Sequence, residues 1–400
     1  MKKLFGAALL IMLVGAGCLV YYPNDRVRPT PQREDPYDYD RDDSGGTDIG
    51  YFYDYLQPYG LWVSYAPYGY VWIPGDVGYK WRPYTRGRWA WTDHGWTWVS
   101  LERWGWIAFH YGRWGWDGRL GWYWVPDIVW GPAWVAWRWG DAHIGWAPLP
   151  PGSYFHHGRG FDHRNWDIPG RHWNFIPGRY FLDRSLDRYV LPNERNVTII
   201  NFTQYDVNIN VRGDRVFNDG VDIERVGRLT NRVVDKYSLK EGSRQDLERV
   251  DGRDVVVYKP NVVANEAARP KKVLGQDKAA EQLDSERSGR IYRQKPVDDE
   301  VELRRIHEQE RDLMEESQEL EVNEVRRKVE DEKVRVQAPA EKQKLDEQVK
   351  SRVAELRKKH EDEKAEMTKR QKTEEEKTKK TPVRKKVEKS DKVDTVEKTV

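Results

Sequence analysis

The feature that most constrains this chain is its tryptophan. All 20 tryptophans fall between Trp62 and Trp173, and seven of them lie in the 26 residues GWDGRLGWYWVPDIVWGPAWVAWRWG, Gly115 to Gly140. Each indole can bury about 150–250 Å². Eighteen tryptophans between residues 62 and 146 are more than one small sheet can hide, because a domain of about 100 residues buries only part of its surface. The segment therefore requires either layers packed face to face or an aromatic face left open to a partner.

A loose unit recurs between Tyr51 and Gly152: a Gly, a Trp soon after, a turn with Gly, then Trp, often followed by Val and Pro. Its copies are GLWVSYAPYGYVWIP, GRWAWTDHGWTWVS, GRWGWDGRLGWYWVP and the looser GPAWVAWRWGDAHIGWAP. Each reads as a β-hairpin, since side chains alternate along a strand and the Gly-bearing tetrads close tight turns. With a symmetric loop at Thr92-Asp93-His94-Gly95, Trp91 faces Trp96 and Trp89 faces Trp98. The same arithmetic sets Trp116 opposite Trp122, Trp114 opposite Trp124 and Trp62 opposite Trp72. Three copies agree on one register, whereas a one-residue slip would send the two strands' rings to opposite faces. Aromatic cross-strand pairs add up to about 1 kcal/mol each. The ladder Trp89, Trp91, Trp96, Trp98, Trp114, Trp116, Trp122 and Trp124 is the candidate ligand-binding set if it faces outward and core if it faces inward. We expect most rings to be core, with a minority exposed near the Gly-rich turns.

The N-terminus addresses location. Lys2 and Lys3 precede an apolar run from Leu4 to Ala16, too short to span a bilayer, which needs about 20 apolar residues. The run ends on Gly15-Ala16-Gly17-Cys18, which resembles the lipobox of bacterial lipoproteins, although Gly15 stands where that family favours Leu. Cys18 is the only cysteine in the chain, so an intrachain disulfide is impossible and lipidation is the expected use of the thiol. The resemblance to Gram-negative lipoproteins implies that Leu19, in place of Asp, directs sorting to the outer membrane. The expected partner is thus a membrane, reached through the N-terminal lipid.

Phe52-Tyr53-Asp54 through Pro58-Tyr59-Gly60, Val71-Trp72-Ile73-Pro74, Gly95-Trp96-Thr97-Trp98-Val99-Ser100, His110-Tyr111-Gly112-Arg113-Trp114 and Gly145-Trp146-Ala147-Pro148 are similar to an uncharacterised Tyr/Trp-rich family of bacterial exported proteins with Y-x-W-G-x-W type repeats. The resemblance continues to about Val226. It implies an envelope protein containing a domain of unknown function, with no catalytic residues to transfer.

The remaining chain divides by composition. We expect a signal segment at 1–17, a disordered tether at 18–50, the hairpin domain at 51–152, a His/Gly-rich connecting loop at 153–178, a second β-rich region at 179–260 and a linker at 261–300. A charged helical or weakly coiled-coil segment at 301–380 and a disordered Lys-rich tail at 381–400 complete it. The alternation Val207, Ile209, Val211 within RNVTIINFTQYDVNINV predicts strands, VDIERVGRLTNRVV a short helix or strand, and DVVVYKP a last strand closed by Pro260. Sparse apolar residues such as Leu313, Val353 and Leu356 allow helical stripes broken near Ala338-Pro339-Ala340. Beyond about Pro270 few apolar residues are offered to any core, so the β-region is expected to fold without the tail. The fold class expected is mainly β, an antiparallel meander of Trp-rich hairpins followed by a second β-rich region, with a long charged helical or disordered C-terminal tail.

Chemistry is thinly signposted. The 68 basic and 66 acidic side chains leave a net charge of +2, which argues against a nucleic-acid partner. His156, His157 and His163 with Asp162 could ligate a metal, but their spacing fits no zinc signature and a polar loop is the simpler reading. His94 and His110 read as turn and strand surface residues, and the tail carboxylates as solvated. No Walker loop, G-x-S-x-G elbow or H-E-x-x-H occurs, so neither an enzyme nor a cofactor is expected. Arg/Trp interleaving at Arg113-Trp114 and Trp137-Arg138-Trp139 suggests cation–π support more than nucleic-acid stacking. Two functions follow: a lipid-anchored envelope scaffold presenting its charged helices to envelope partners, or a glycan-binding module using exposed aromatic faces on peptidoglycan, lipopolysaccharide or exopolysaccharide. The oligomeric state is left open.

Overall fold

The computed structural model describes residues 47–379 apart from 76, 79, 157–158, 162–165, 214, 243–247 and 292–295. The signal segment, Cys18, nearly all of the tether, Asp162, His157, His163 and the tail 381–400 lie outside the described residues. Helix α1 (Gly50–Leu56) buries Phe52 and Leu56 and leads into the first hairpin.

The four tryptophan-rich copies fold as four antiparallel hairpins. They pair Gly60–Tyr65 with Gly69–Pro74, Gly87–Thr92 with Gly95–Ser100, Arg113–Asp117 with Gly121–Val125, and Val135–Trp139 with His143–Pro148. The register matches the sequence arithmetic: Trp62 lies opposite Trp72, Trp89 opposite Trp98, Trp91 opposite Trp96, Trp114 opposite Trp124 and Trp116 opposite Trp122. The fourth hairpin adds Trp137 opposite Trp146. Close approach explains the glycines that open the copies. A Cβ on Gly87 would lie 2.7 Å from the Trp98 ring, and one on Gly112, at φ +66°, would lie 2.6 Å from the Trp124 indole nitrogen.

The hairpins do not form a meander. The first and third share a five-stranded sheet through Trp72 opposite Trp124, the second lies inside a seven-stranded sheet, and the fourth lies in a four-stranded one. A single meander would leave much of the ladder uncovered. Divided among three sheets, the ladders face one another, and Trp89 sits 5.0 Å from Trp98 in its own hairpin and 4.6 Å from Trp137 in the fourth. Rings from all three sheets meet in one core with Phe109 and Phe181. Helix α2 (Gly105–Ala108), wholly buried, links the second hairpin to the third.

The second region extends these sheets at their edges. Asn174–Pro177 and Gln204–Asp206 flank the fourth hairpin. Ile209–Arg212 and Arg215–Asn218 continue the seven-stranded sheet on one side, and Lys236–Glu241, Asp254–Val257 and Arg249–Asp251 continue it on the other. Asn196–Asn201, expected as strand, is instead helix α3, whose last turn is closed by Thr203 Oγ1 donating to the Ile199 carbonyl at 3.0 Å. Burial of Ile199 in a compact corner outweighs the β propensity of its Val, Thr and Ile. Helix α4 (Ile223–Thr230) is capped by Asp222, which accepts the Arg225 N–H at 2.9 Å, and ends at Asn231 in the left-handed region. Pro260 does not end the strands, because Val273–Gly275 adds in parallel to the first hairpin.

Three helices follow: α5 (Gln276–Ile291), α6 (Pro296–Arg335) and α7 (Pro339–Lys379). With about 28% strand and 40% helix the chain is mixed, and the mainly β expectation is corrected. The break at Ala338-Pro339-Ala340 falls between α6 and α7, which run antiparallel, with His307 beside Glu374 and Lys333 beside Asp346. The helices also make core contacts that a solvated tail would not. Ala279, Ala280 and Leu283 of α5 cover Val63, Val71 and Ile73 of the first hairpin. Leu313 of α6 joins the cluster around Phe175 and Ile199. Among the described residues no helix is long and apolar enough to cross a membrane.

Candidate functional site

The tryptophan ladder is the first candidate, and the structure turns most of it inward. Trp89, Trp96, Trp98 and Trp124 are fully buried, Trp114 and Trp122 are buried, and Trp91 is half-buried. Only Trp116, next to the Gly118 turn, is exposed, at 38%. It packs edge-on against Trp122 at 5.7 Å, and Trp122 lies 4.9 Å from His172. Burial is the main cause that pushes the His172 pKa down to about 4, with Arg171 acting in the same direction.

Hydrogen bonding explains why the core uses indole where Leu or Ile would fill space. Trp62 donates to the Tyr53 carbonyl, Trp72 to Leu56, Trp96 to Val221, Trp114 to Ala108, Trp124 to Tyr111 and Trp146 to Tyr84, all at 2.7–3.1 Å. The acceptors lie outside the regular strands, where a buried carbonyl has no ladder partner and would cost about 1–3 kcal/mol if unpaired. One side chain thus fills a layer and satisfies a carbonyl in the last turn of α1 or α2 or in a loop. The Arg/Trp interleaving serves the same interior, since the buried Arg113 guanidinium lies 3.9 Å over the Trp134 ring and donates to the Ser153 carbonyl at 3.1 Å.

His110 is the second candidate, and it is not a surface residue. Its ring is fully buried and stacked on Trp130 at 5.3 Å. Nδ1 donates to the Gly131 carbonyl at 2.8 Å, and Nε2 lies 2.6 Å from Glu248 Oε1. Burial alone would lower the His110 pKa, but the Glu248 carboxylate outweighs it and the net shift is upward. Glu248 also accepts the Ser100 N–H at 2.8 Å, while the Ser100 hydroxyl donates to Glu102 at 2.8 Å. Ser100 is therefore not activated by His110. Nδ1 is bonded and Nε2 faces the Glu248 carboxylate, and Glu248 is itself bonded to Ser100 of the second hairpin. His94 is also buried, stacked on Phe217 at 5.4 Å.

The third candidate was missed in the sequence. It is the seam where α6 and α7 meet the fourth hairpin and the turn before α3. Arg195, fully buried, donates to Glu321 of α6 and Glu363 of α7 and reaches Ser317 Oγ at 2.9 Å. Ser317 Oγ lies 2.7 Å from His143 Nε2, and His360 Nε2 lies 2.8 Å from Glu321 Oε2. Thr198 donates to Glu363 at 2.5 Å. Farther along, Lys80 meets Glu310 at 2.6 Å, and Arg370 spans Glu194, Glu310 and Glu374. Burial alone would raise the Glu321 pKa, but the His360 bond and the Arg195 charge hold it below the usual range. Glu310 is held low in the same way, against its own burial, first by Lys80 and then by Arg370. Tail carboxylates are thus not uniformly solvated. The signal was heptad spacing: His307, Met314 and Glu321, and Val353, His360, Met367 and Glu374, recur every seven residues, setting His and Glu in line with core positions.

No group of three or more His, Cys, Asp and Glu side chains among the described residues is arranged to hold a metal ion. A cleft of about 380 Å³ is lined by Arg184, Ser185, Arg188, Tyr189 and the Arg232–Asp183 ion pair. Its serine hydroxyl is already given to Asp187 at 2.5 Å, so it offers guanidinium charge without a convergent donor set.

Fold and sites together define a mixed protein whose tryptophan-lined hairpins form an aromatic body clamped to a charged helical hairpin. Residues 53–153 match the model of a family of unknown function, DUF6600. The matched segment is the aromatic body's four hairpins, about a quarter of the chain. No curated protein and no solved structure matches the chain.

Proposed function

We propose that this protein is a non-enzymatic scaffold of the bacterial cell envelope, anchored in the outer membrane by lipid on Cys18, which presents the charged outer face of its α6–α7 hairpin to envelope partners. The observation that carries the reading is the inward use of the aromatic ladder: seven of the eight candidate binding rings are buried or half-buried, and their neighbours bond inside the protein. The polar centres at His110 and Arg195 likewise tie segments of the chain to one another. A second reading, glycan binding, is favoured by one observation, the exposed Trp116 beside Trp122 and His172.

One experiment separates them. The full chain is expressed in a Gram-negative host, its mature N-terminus is analysed by mass spectrometry, and the protein is passed over immobilised peptidoglycan and lipopolysaccharide. The scaffold reading expects acylated Cys18, loss of membrane association in Cys18→Ser, and no glycan retention. Retention abolished by Trp116→Ala would replace it with the binding reading, and an unmodified Cys18 in the membrane fraction would remove the anchor.

A further inference from the structure

A docked helical pair is ordinarily held by an apolar stripe, yet the centre of this seam is a buried polar network. A guanidinium and an imidazole meet on one hydroxyl at its middle. Ser317 Oγ accepts from Arg195 Nη2, because a guanidinium has only donors. The same hydroxyl lies 2.7 Å from His143 Nε2. The seam thus holds a buried imidazole that shares one hydroxyl with the buried Arg195 guanidinium. A charged His143 would set an imidazolium beside the buried Arg195 guanidinium, a costly pairing away from water.

We propose that the α6–α7 hairpin is an acid-released strap, docked over the fourth hairpin at neutral pH and detached on acidification by protonation of His143, while the aromatic body stays folded. The groups facing His143 are Ser317 and Glu321 from α6 and Arg195 from the turn before α3, with His360 and Glu363 of α7 sharing the same carboxylate and guanidinium. Asp141, two residues upstream, is held by Arg327 of α6 at 2.6 Å and lies 3.5 Å from Arg225 of α4. His360 pairs with Glu321 and His307 with Glu374, both across α6 and α7, so these contacts keep the two helices together as one unit.

The direction of the effect follows from linkage. Burial, the largest cause, pushes the His143 pKa down to about 4; Glu321 opposes the shift and Arg195 adds to it. Released, the imidazole returns towards about 6.5. The detached form therefore binds a proton that the docked form refuses, and release gains as pH falls from about 6.5 to about 4. Relative to neutral pH, the docking equilibrium weakens about 30-fold at pH 5. The low-lying carboxylates Glu321 and Glu310 act in the same direction at lower pH, as they lose charge.

Hydroxyl-radical footprinting of the full chain tests this. Leu313 of α6 is buried against the body, whereas Trp89 and Trp98 lie deep in the aromatic core. Between pH 7.5 and pH 5 the Leu313 oxidation rate should rise about 30-fold, with a slope approaching one proton per pH unit between 6 and 5, and the two tryptophans should stay protected. In His143→Gln, whose side-chain amide can still bond Ser317 but does not titrate, the rise between pH 7.5 and 5 should vanish. A structural role alone would weaken docking equally at every pH. Equal Leu313 rates at both pH values in the wild type overturn the proposal, as does joint exposure of Leu313 and Trp89; the wild-type measurement decides even if the variant fails to fold.

Discussion

Trp89→Ala probes the aromatic body at its densest point. Trp89 is fully buried, with ring centroids of Trp137, Trp98 and Trp146 at 4.6, 5.0 and 5.7 Å. Truncating a buried Trp to Ala costs about 3–5 kcal/mol. The upper half of that range applies here, because three neighbouring rings each lose an aromatic contact of about 0.5–1.5 kcal/mol, and these rings, fixed in three strands, cannot collapse into the gap. No hydrogen bond is lost, since the Trp89 N–H has no partner in the structure. Urea unfolding followed by far-UV circular dichroism should therefore show a loss of about 4–5 kcal/mol with an unchanged slope. Trp116→Ala, at the exposed end of the third hairpin, should cost about 1 kcal/mol, the scale of one cross-strand pair. The same indole logic ranks two milder changes: Trp96→Phe strands the Val221 carbonyl that it now bonds at 2.7 Å and should cost more than Trp89→Phe. A Trp89→Ala cost below about 2 kcal/mol, or equal costs for Trp89 and Trp116, would refute the inward-facing ladder.

Two further outcomes follow. Arg195→Met leaves Glu321 and Glu363 buried without their cation and should cost about 3–5 kcal/mol of strap docking, seen as faster Leu313 labelling at pH 7.5 with the tryptophans still protected; unchanged labelling would mean the network is incidental. A chain ending after Pro270 loses the Val273–Gly275 strand and all three helices, uncovering Val63, Val71 and Ile73, and should melt well below the full protein, whereas an unchanged thermal transition would restore the view that the tail is dispensable.

Local arithmetic was the legible part of this fold. Tryptophans at spacing two around Gly-bearing turns define each hairpin's register without any knowledge of its neighbours, and Gly87 and Gly112 mark where an indole of the partner strand lies flat against the backbone. Sheet membership was not legible, because Trp72 opposite Trp124 joins segments fifty residues apart across the intervening second hairpin. His110 was misplaced for a related reason: the carboxylate that buries it, Glu248, arrives from more than a hundred residues later. The strap was hidden by its chemistry. A charged helix reads as solvated when apolar residues are counted, and this interface replaces them with Arg195, Glu321 and Glu363, whose burial is visible only once their partners are placed.

The two halves of the molecule are consequently held by terms that respond to different variables. Ring burial in the body scales with apolar area, so denaturant weakens it and proton concentration has little direct hold on it. The seam is apolar at Leu313 and where Val322, Val353 and Leu356 meet Phe202, while its middle is held by charges and hydrogen bonds that meet at Ser317 and Glu321. A buried charged network is a poor source of stability compared with apolar packing of similar volume, yet it fails sharply when one member changes charge. That property suits an attachment that must hold firmly and release without unfolding what it is attached to.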